Sequence, residues 1–277
     1  VTGPAIFDRL AIVMAHPDDE VLWAGSALRA AGKIILVYGE LPGAPELTAG
    51  RKAAMAAFPL QTLDWLEMVE TGVFDSASWP SPRETEYGVY PHPALRVFDS
   101  FDPDRYRRQF HQLRDLLRVR LSGMRNVIAH GPWGEYGHED HIQVFRAVAS
   151  LADELGFRLW VPGYRAPKTA VLMQRHLRFL GRPCEALPID HALAAQIAQI
   201  YKDTRTWTWF DDYVWPDTER FFPWHPHGAP AGEAAQVEEI APIRFPDGYE
   251  ARRLAEGHWK RRMLRRTLAW MNRKGPH

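Results

Sequence analysis

The sequence predicts an α/β protein: a Rossmann-like, mostly parallel sheet with helices on both faces, followed by a C-terminal extension. Two observations carry this prediction. Short apolar runs rich in Ile, Val and Leu recur without polar alternation, as strands buried on both faces do. Through the first 165 residues these runs alternate with amphipathic stretches long enough to be crossover helices. Ligand sites in such folds lie beyond the carboxyl ends of the strands.

The elements follow in order. "LAIVMAH" (10–16) reads as a buried strand, and the segment from about Asp19 to Ala31 as a helix entered through Pro17 and acidic residues that suit its positive end. "KIILVYGE" (33–40) is a second strand, "LTAGRKAAMAAF" a second helix, and "TLDWLEM" a third strand. "DRYRRQFHQLRDLLRVRL" (104–121) is a long helix with Phe110, Leu113, Leu116, Leu117 and Leu121 on one face. "NVIAHG", "HEDHIQVFRAVASLADEL" and "FRLWVPG" then give strand, helix and strand. Residues 70–103 interrupt the rhythm with a Pro-containing insertion of a length that is more often functional than idle. Beyond residue 165, "HALAAQIAQIYKDT" (191–204) is helical, whereas "WTWFDDYVWPDTERFFPWHPHG" (207–228) is not, and "GAPAGEAA" is a loop. The expected organisation is one domain over 1–277, with its core at about 8–165 and residues 166–277 as a substrate cap or packing extension.

Composition narrows the function classes. The 277 residues are 46% hydrophobic and 25% charged, enough for a sizeable core. Lys plus Arg and Asp plus Glu both number 34, so no global field draws the chain to nucleic acid. The single cysteine, Cys184, excludes an intrachain disulfide and a thiolate cluster, and with no signal-peptide pattern at the start it suits a cytoplasmic location. No apolar run approaches the roughly 20 residues of a membrane-spanning helix.

The chemistry concentrates at two strand-to-helix junctions. In "AHPDDE", His16 and Asp19 stand three apart in the turn after the first strand, and carboxylates at a helix start can also merely cap it. "NVIAHGPWGEYGHEDHIQV" repeats the layout, with His138 and His141 one helical turn apart. Together the junctions can deliver His16, Asp19 and His141 to one point, the three-ligand set of a catalytic zinc with an open position. The same set holds ferrous iron. "HEDH" is not the zinc-protease pattern, and the glycines of "GPWGEYG" lack dinucleotide-fingerprint spacing.

"AHPDDE" before an apolar helix, with "GEYGHEDH" after a later strand, resembles the LmbE/PIG-L family of metal-dependent N-deacetylases, which act mainly on N-acetylglucosaminyl compounds. The resemblance spans about residues 8–165. It implies a metal at the carboxyl edge of the sheet, Asp18 as general base, and His138 as the histidine that stabilises the oxyanion or protonates the leaving amine. Asp140 would orient or charge-stabilise His138, and Tyr136 would assist the carbonyl oxygen. Family members carry an Arg and a Glu in the helix after the second strand; here Arg51 stands without that glutamate. Arg51 and Asp75, the latter in "GVFDS", are the expected substrate-binding residues, and Glu20 either supports the site residues from behind or starts the helix.

The tail adds Trp207, Trp209, Trp215 and Trp224, rings that can stack on sugars or cover a sheet edge. "EARRLAEGHWKRRMLRRTLAWMNRK" is a basic amphipathic helix able to pack on the domain or to touch an anionic membrane. The expected function is removal of the N-acetyl group from an N-acetylglucosamine-type amino sugar in a glycoside, glycolipid or glycosylated natural product. Two other readings use the same residues: an amidase on a thiol conjugate or longer acyl chain, and a non-catalytic module that binds glycans or anionic surfaces. Acyl-length preference separates the first from deacetylation, and binding without acetate release separates the second.

Overall fold

The computed structural model describes residues 4–245. Residues Val1–Pro242 gather into one compact unit, and the expected basic C-terminal helix, with Trp259, Met263 and Trp270, lies outside the described residues. The unit is built on a six-stranded sheet of β1 (Leu10–Met14), β2 (Lys33–Glu40), β3 (Leu63–Val69), β4 (Asn126–Ala129), β5 (Arg158–Pro162) and β6 (Phe221–Pro223). Across the sheet the order is β6-β5-β4-β1-β2-β3. The first five strands run parallel, in register through pairs such as Ala11 with Lys33 and Leu10 with Asn126, while β6 joins β5 antiparallel. The strand order reverses between β1 and β4, the switch point where open α/β sheets hold their ligands.

Helices α1 (Asp19–Trp23), α2 (Pro45–Ala56), α3 (Pro103–Arg120), α4 (Glu139–Ala149), α5 (Ala152–Leu155), α6 (Ala170–His176) and α7 (His191–Asp203) surround the sheet. Successive strand residues point to opposite faces, so odd and even positions of β1 bury against different layers. Ala11, Val13 and Ala15 join Ile35, Val37, Val127 and Leu159 in a core with Phe110, Leu113 and Leu117 of α3 and Ile142 and Phe145 of α4. Ile12 and Met14, equally buried, belong to the opposite face, where α1 and α2 meet α7. Leu116 of α3 is only partly buried and packs against the margin of this core.

Three elements depart from the sequence expectation. The first helix stops at Trp23 and continues as a 3-10 turn over Gly25–Ala30; Glu219 accepts from the Ser26 N–H at 2.8 Å at the break. The helix after β4 breaks at Ser150 and Leu151 into α4 and α5. The segment 207–228, read only as not helical, contributes β6 to the main sheet, so the Trp-rich tail is part of the α/β unit. The 70–103 insertion folds back onto the core, burying Val73, Ala77, Trp79 and Val89. Among the described residues no helix is long and apolar enough to cross a membrane.

Candidate metal centre

The two junctions meet at the switch point. After β1 the chain turns tightly, with the Asp19 N–H donating to the His16 carbonyl at 3.2 Å and the His16 N–H donating to Asp19 Oδ2 at 2.8 Å. This turn places Asp18 in the left-handed region, at φ 105°, which a residue with a Cβ adopts only when its surroundings over-determine it. After β4, residues 131–137 wind through two turns closed by Gly134 N–H to Gly131 O and Gly137 N–H to Gly134 O. A Cβ on Gly134 would lie 2.6 Å from the His138 carbonyl, so this turn requires glycine. His138 then caps α4, its Nδ1 accepting from the Asp140 N–H at 3.2 Å.

Asp19 stands between His16 and His141. Asp19 Oδ2 lies 3.3 Å from His16 Nδ1 and 3.2 Å from His141 Nε2, with all three residues buried. The protonation pattern around them can be followed atom by atom. His130, at the end of β4, accepts the Ala15 N–H on Nε2 at 2.9 Å, so it is a neutral ring with its proton on Nδ1, directed at Glu135 Oε2 2.9 Å away. Burial lowers its basicity, but Glu135 and Asp19 more than offset burial and raise its pKa to about 9, so it is the Ala15 N–H on Nε2, and not burial, that selects this tautomer. His141 sets its own Nδ1 2.8 Å from the same Glu135 oxygen. With the His141 proton there, Nε2 presents a lone pair to the Asp19 carboxylate.

An acceptor thus faces an acceptor at 3.2 Å, an arrangement that needs positive charge between them. Nε2 of His141 has no hydrogen-bond partner, nor has Nε2 of His16 or Oδ1 of Asp140, and all three are buried. The same demand shows in the basicity of His16. Burial lowers it, but Glu70, Asp140 and Asp19 more than offset burial and push its pKa up to about 10. Asp19 is held well below the ordinary carboxylate range: burial opposes this, and His141 and His130 prevail. The donor set of two imidazoles and one carboxylate therefore fits a divalent cation. Among the described residues, the groupings whose ligand atoms all lie within 4.8 Å of one another are His16–His138–His141, Asp19–His130–His141 and His16–Glu70–Asp140, whereas His16 and His141 are each linked to Asp19 through its Oδ2. His130 is not free to ligate, because its lone pair already takes the Ala15 N–H.

Each histidine of the trio is backed by a carboxylate on the nitrogen remote from Asp19, as metal-ligating histidines commonly are. Glu135 stands behind His141, and Asp140 and Glu70 stand behind His16, at 3.5 and 3.9 Å from its Nε2. Asp140 Oδ2 is 4.0 Å from His138 Nδ1, so its carboxylate serves His16 more directly than His138, contrary to the sequence expectation. It is the Asp140 backbone that orients the His138 ring.

The remaining predicted residues fall at different depths. Asp18 is buried beside the trio, and Oδ2 accepts from the Thr208 N–H at 3.0 Å and the Thr208 hydroxyl at 2.7 Å. Burial and the neighbouring Asp19 raise its pKa to about 7. His138 stacks on His141 with centroids 4.7 Å apart and meets Phe74 at 4.7 Å. Burial, and after it the charge on His16, hold it well below the usual histidine range, so it is neutral. The Tyr136 ring stands edge-on to His141 at 5.3 Å and 5.1 Å from Trp209, at the mouth of the cluster. Arg51 is buried, its guanidinium paired with Glu70 Oε1 and donating to the Gly39 carbonyl at 3.4 Å. Asp75 sits in the insertion, 2.9 Å from Lys168 Nζ, with its own N–H donating to Glu139. Arg51 and Asp75 thus stand outside the trio, engaged with Glu70 and with Lys168 and Glu139.

Sequence reasoning missed four groups at this site. His130 occupies in "IAHG" the position that His16 occupies in "MAHP", directly after an Ala at the strand end, and this likeness could have been read. Glu135 lies within the quoted "GEYGHEDH", between glycines that signal a backbone shaped for it. Glu70, at the end of β3, supplies the carboxylate partner that Arg51 lacks in its own helix. Thr208 has no local signal.

No protein-family model matches the chain, and no curated protein does. Solved structures do. A deacetylase–bog complex from the biosynthesis pathway of teicoplanin superposes with a TM-score of 0.51 at 14% identity, covering 77% of this chain and 96% of that one. The zinc inhibited form of teicoplanin deacetylase Orf2 superposes with a TM-score of 0.50, also at 14% identity, covering 77% of this chain and 97% of the other. The chain has the α/β fold of these deacetylases.

Proposed function

We propose that this protein is a divalent-metal-dependent hydrolase of the LmbE/PIG-L type that removes an N-acetyl group from an amino sugar carried on a glycosylated natural product. The observation that carries the reading is the bare His141 Nε2 facing Asp19 Oδ2 at 3.2 Å, with His16 Nδ1 3.3 Å from the same oxygen. The fold shared with deacetylases of the teicoplanin pathway supports the substrate class. His16, Asp19 and His141 would hold zinc, with ferrous iron the other cation the set accepts. When bound, such a cation polarises the amide carbonyl and lowers the pKa of water to roughly 7.

The chain's own groups supply the proton transfers. Asp18, with its pKa near neutrality, takes a proton from the attacking water and can return it to the departing amine. His138 is neutral and accepts on Nδ1, so its proton is on Nε2, where it donates to the oxyanion as the carbonyl carbon becomes tetrahedral. Phe74, Tyr136 and Trp209, packed on the buried Trp23, surround the cluster with aromatic rings that exclude water and suit sugar stacking.

The test is acetate release by the purified chain, supplied with one equivalent of zinc or ferrous iron, from N-acetylglucosaminides, N-acetylglucosaminyl lipids and N-acetylated glycopeptides. The proposal expects release from at least one amino-sugar class, and loss of turnover with metal retained in Asp18→Asn. Absence of release from every N-acetylated amino sugar, with metal bound, refutes it.

A further inference from the structure

We propose that Thr208 is a positioning residue for Asp18, so that a loop 190 residues away in sequence sets the orientation of the general base. The inference rests on the deacetylase reading for the role of Asp18, and on separate geometry for the role of Thr208.

Asp18 is held twice by one stretch of chain. Its backbone N–H donates to Glu20 Oε2 at 3.1 Å, and Glu20 Oε1 accepts from the Tyr201 hydroxyl at 2.7 Å. Its side chain receives both Thr208 donors on a single oxygen, Oδ2. The N–H and O–H of one threonine converging on one oxygen fix the carboxylate plane and leave Oδ1 to meet the reacting water. Such a brace answers a specific need, because the φ of 105° at Asp18 persists only where its surroundings enforce it.

The loop that carries Thr208 is itself anchored on either side. Thr206 donates its hydroxyl to the Tyr201 carbonyl at 3.3 Å, and the Trp215 indole N–H donates to the Val21 carbonyl at 2.8 Å, tying the loop to α7 and α1. Next to Thr208, the Trp209 ring packs on Trp23 with centroids 5.4 Å apart. Thr208 is nevertheless exposed, so its hydroxyl is not needed to fill the core, and its one recorded side-chain bond goes to the buried base. An exposed threonine serving only the fold would have little reason to bond there.

The test uses the full chain with Thr208→Val, Thr208→Ser and bound zinc measured for each. Val keeps the backbone N–H and the shape but removes the hydroxyl. A hydrogen bond to a charged group lost from the transition state lowers kcat roughly 10- to 100-fold. The proposal expects that loss in Thr208→Val with KM, zinc stoichiometry and thermal midpoint unchanged, and recovery of kcat in Thr208→Ser. Wild-type kcat in Thr208→Val, loss of zinc together with kcat, or failure of Ser to restore turnover would overturn it. If the wild-type chain itself releases no acetate, the deacetylase reading fails instead, which the zinc-loaded wild-type control identifies.

Discussion

Replacing Glu135 with Gln should weaken both the apo fold and metal capture, and the structure sets the size of each effect. Glu135 is buried with His130 and His141 on one oxygen, at 2.9 and 2.8 Å, and the Gly131 N–H on the other at 2.7 Å. Burial would raise its pKa, but the two histidines bring it from 4.5 down to about 2, which amounts to about 3 kcal/mol of preference for the charged form. An amide cannot satisfy this set. With its oxygen toward the histidines, its NH2 meets the Gly131 N–H donor to donor. Turned over, it donates to both Nδ1 atoms and drives the His141 proton onto Nε2, the atom needed for the cation. Loss of about 3 kcal/mol corresponds to a fall of roughly 6–12 °C in the apo melting midpoint for a unit of this size. Loss of a carboxylate that orients a ligating histidine costs about 10- to 100-fold in metal affinity. Differential scanning calorimetry of the apo protein and zinc competition against a chromogenic chelator read the two effects separately. An apo midpoint and a zinc Kd both equal to wild type would refute the assigned tautomers.

Two further predictions concern groups away from the cation. Glu84 accepts from His176 at 2.7 Å and pairs with Arg146 and Arg175, contacts that lower its pKa from 4.5 to about 2. A depressed carboxyl stabilises the fold above its unfolded pKa and loses that contribution as pH falls through the folded one. Glu84→Gln should therefore be less stable by about 1–2 kcal/mol at pH 7, after discounting for partial solvent screening. The gap should close as pH falls from about 4.5 towards 2, as urea titrations at several pH values would show. Tyr201→Phe removes the donor to Glu20 Oε1 inside a fully buried pair, and should cost about 1–3 kcal/mol in urea unfolding. An unchanged midpoint would mean that Glu20 finds another donor.

The order of strands and helices to residue 162 was largely legible in the sequence because β1, β2, β4 and β5 are built on apolar runs and the long helices are amphipathic, although β3 carries Asp64 and Glu67. That His16 and His141 lie near one another follows from the topology: the two strands that precede them are parallel neighbours, so the junctions after them end on the same edge of the sheet. β6 was not legible, since its three residues lie among tryptophans and prolines that give no period, and they join the sheet only through pairing with β5. The service of Asp140 to His16 was hidden because adjacency to His138 in sequence says nothing of which ring its carboxylate meets. Thr208 was hidden because its partner lies at the opposite end of the unit's sequence, and no local pattern encodes such a pairing.

The left-handed backbone at position 18 also bears on how such a protein ages under mutation. Glycine would occupy that φ without strain, and its lack of a carboxylate would relieve the desolvation that Asp18 suffers. Folding alone thus pulls this codon towards glycine, and only turnover resists. Should selection for chemistry lapse, position 18 is where a silent, sturdier descendant would first part company with its ancestor.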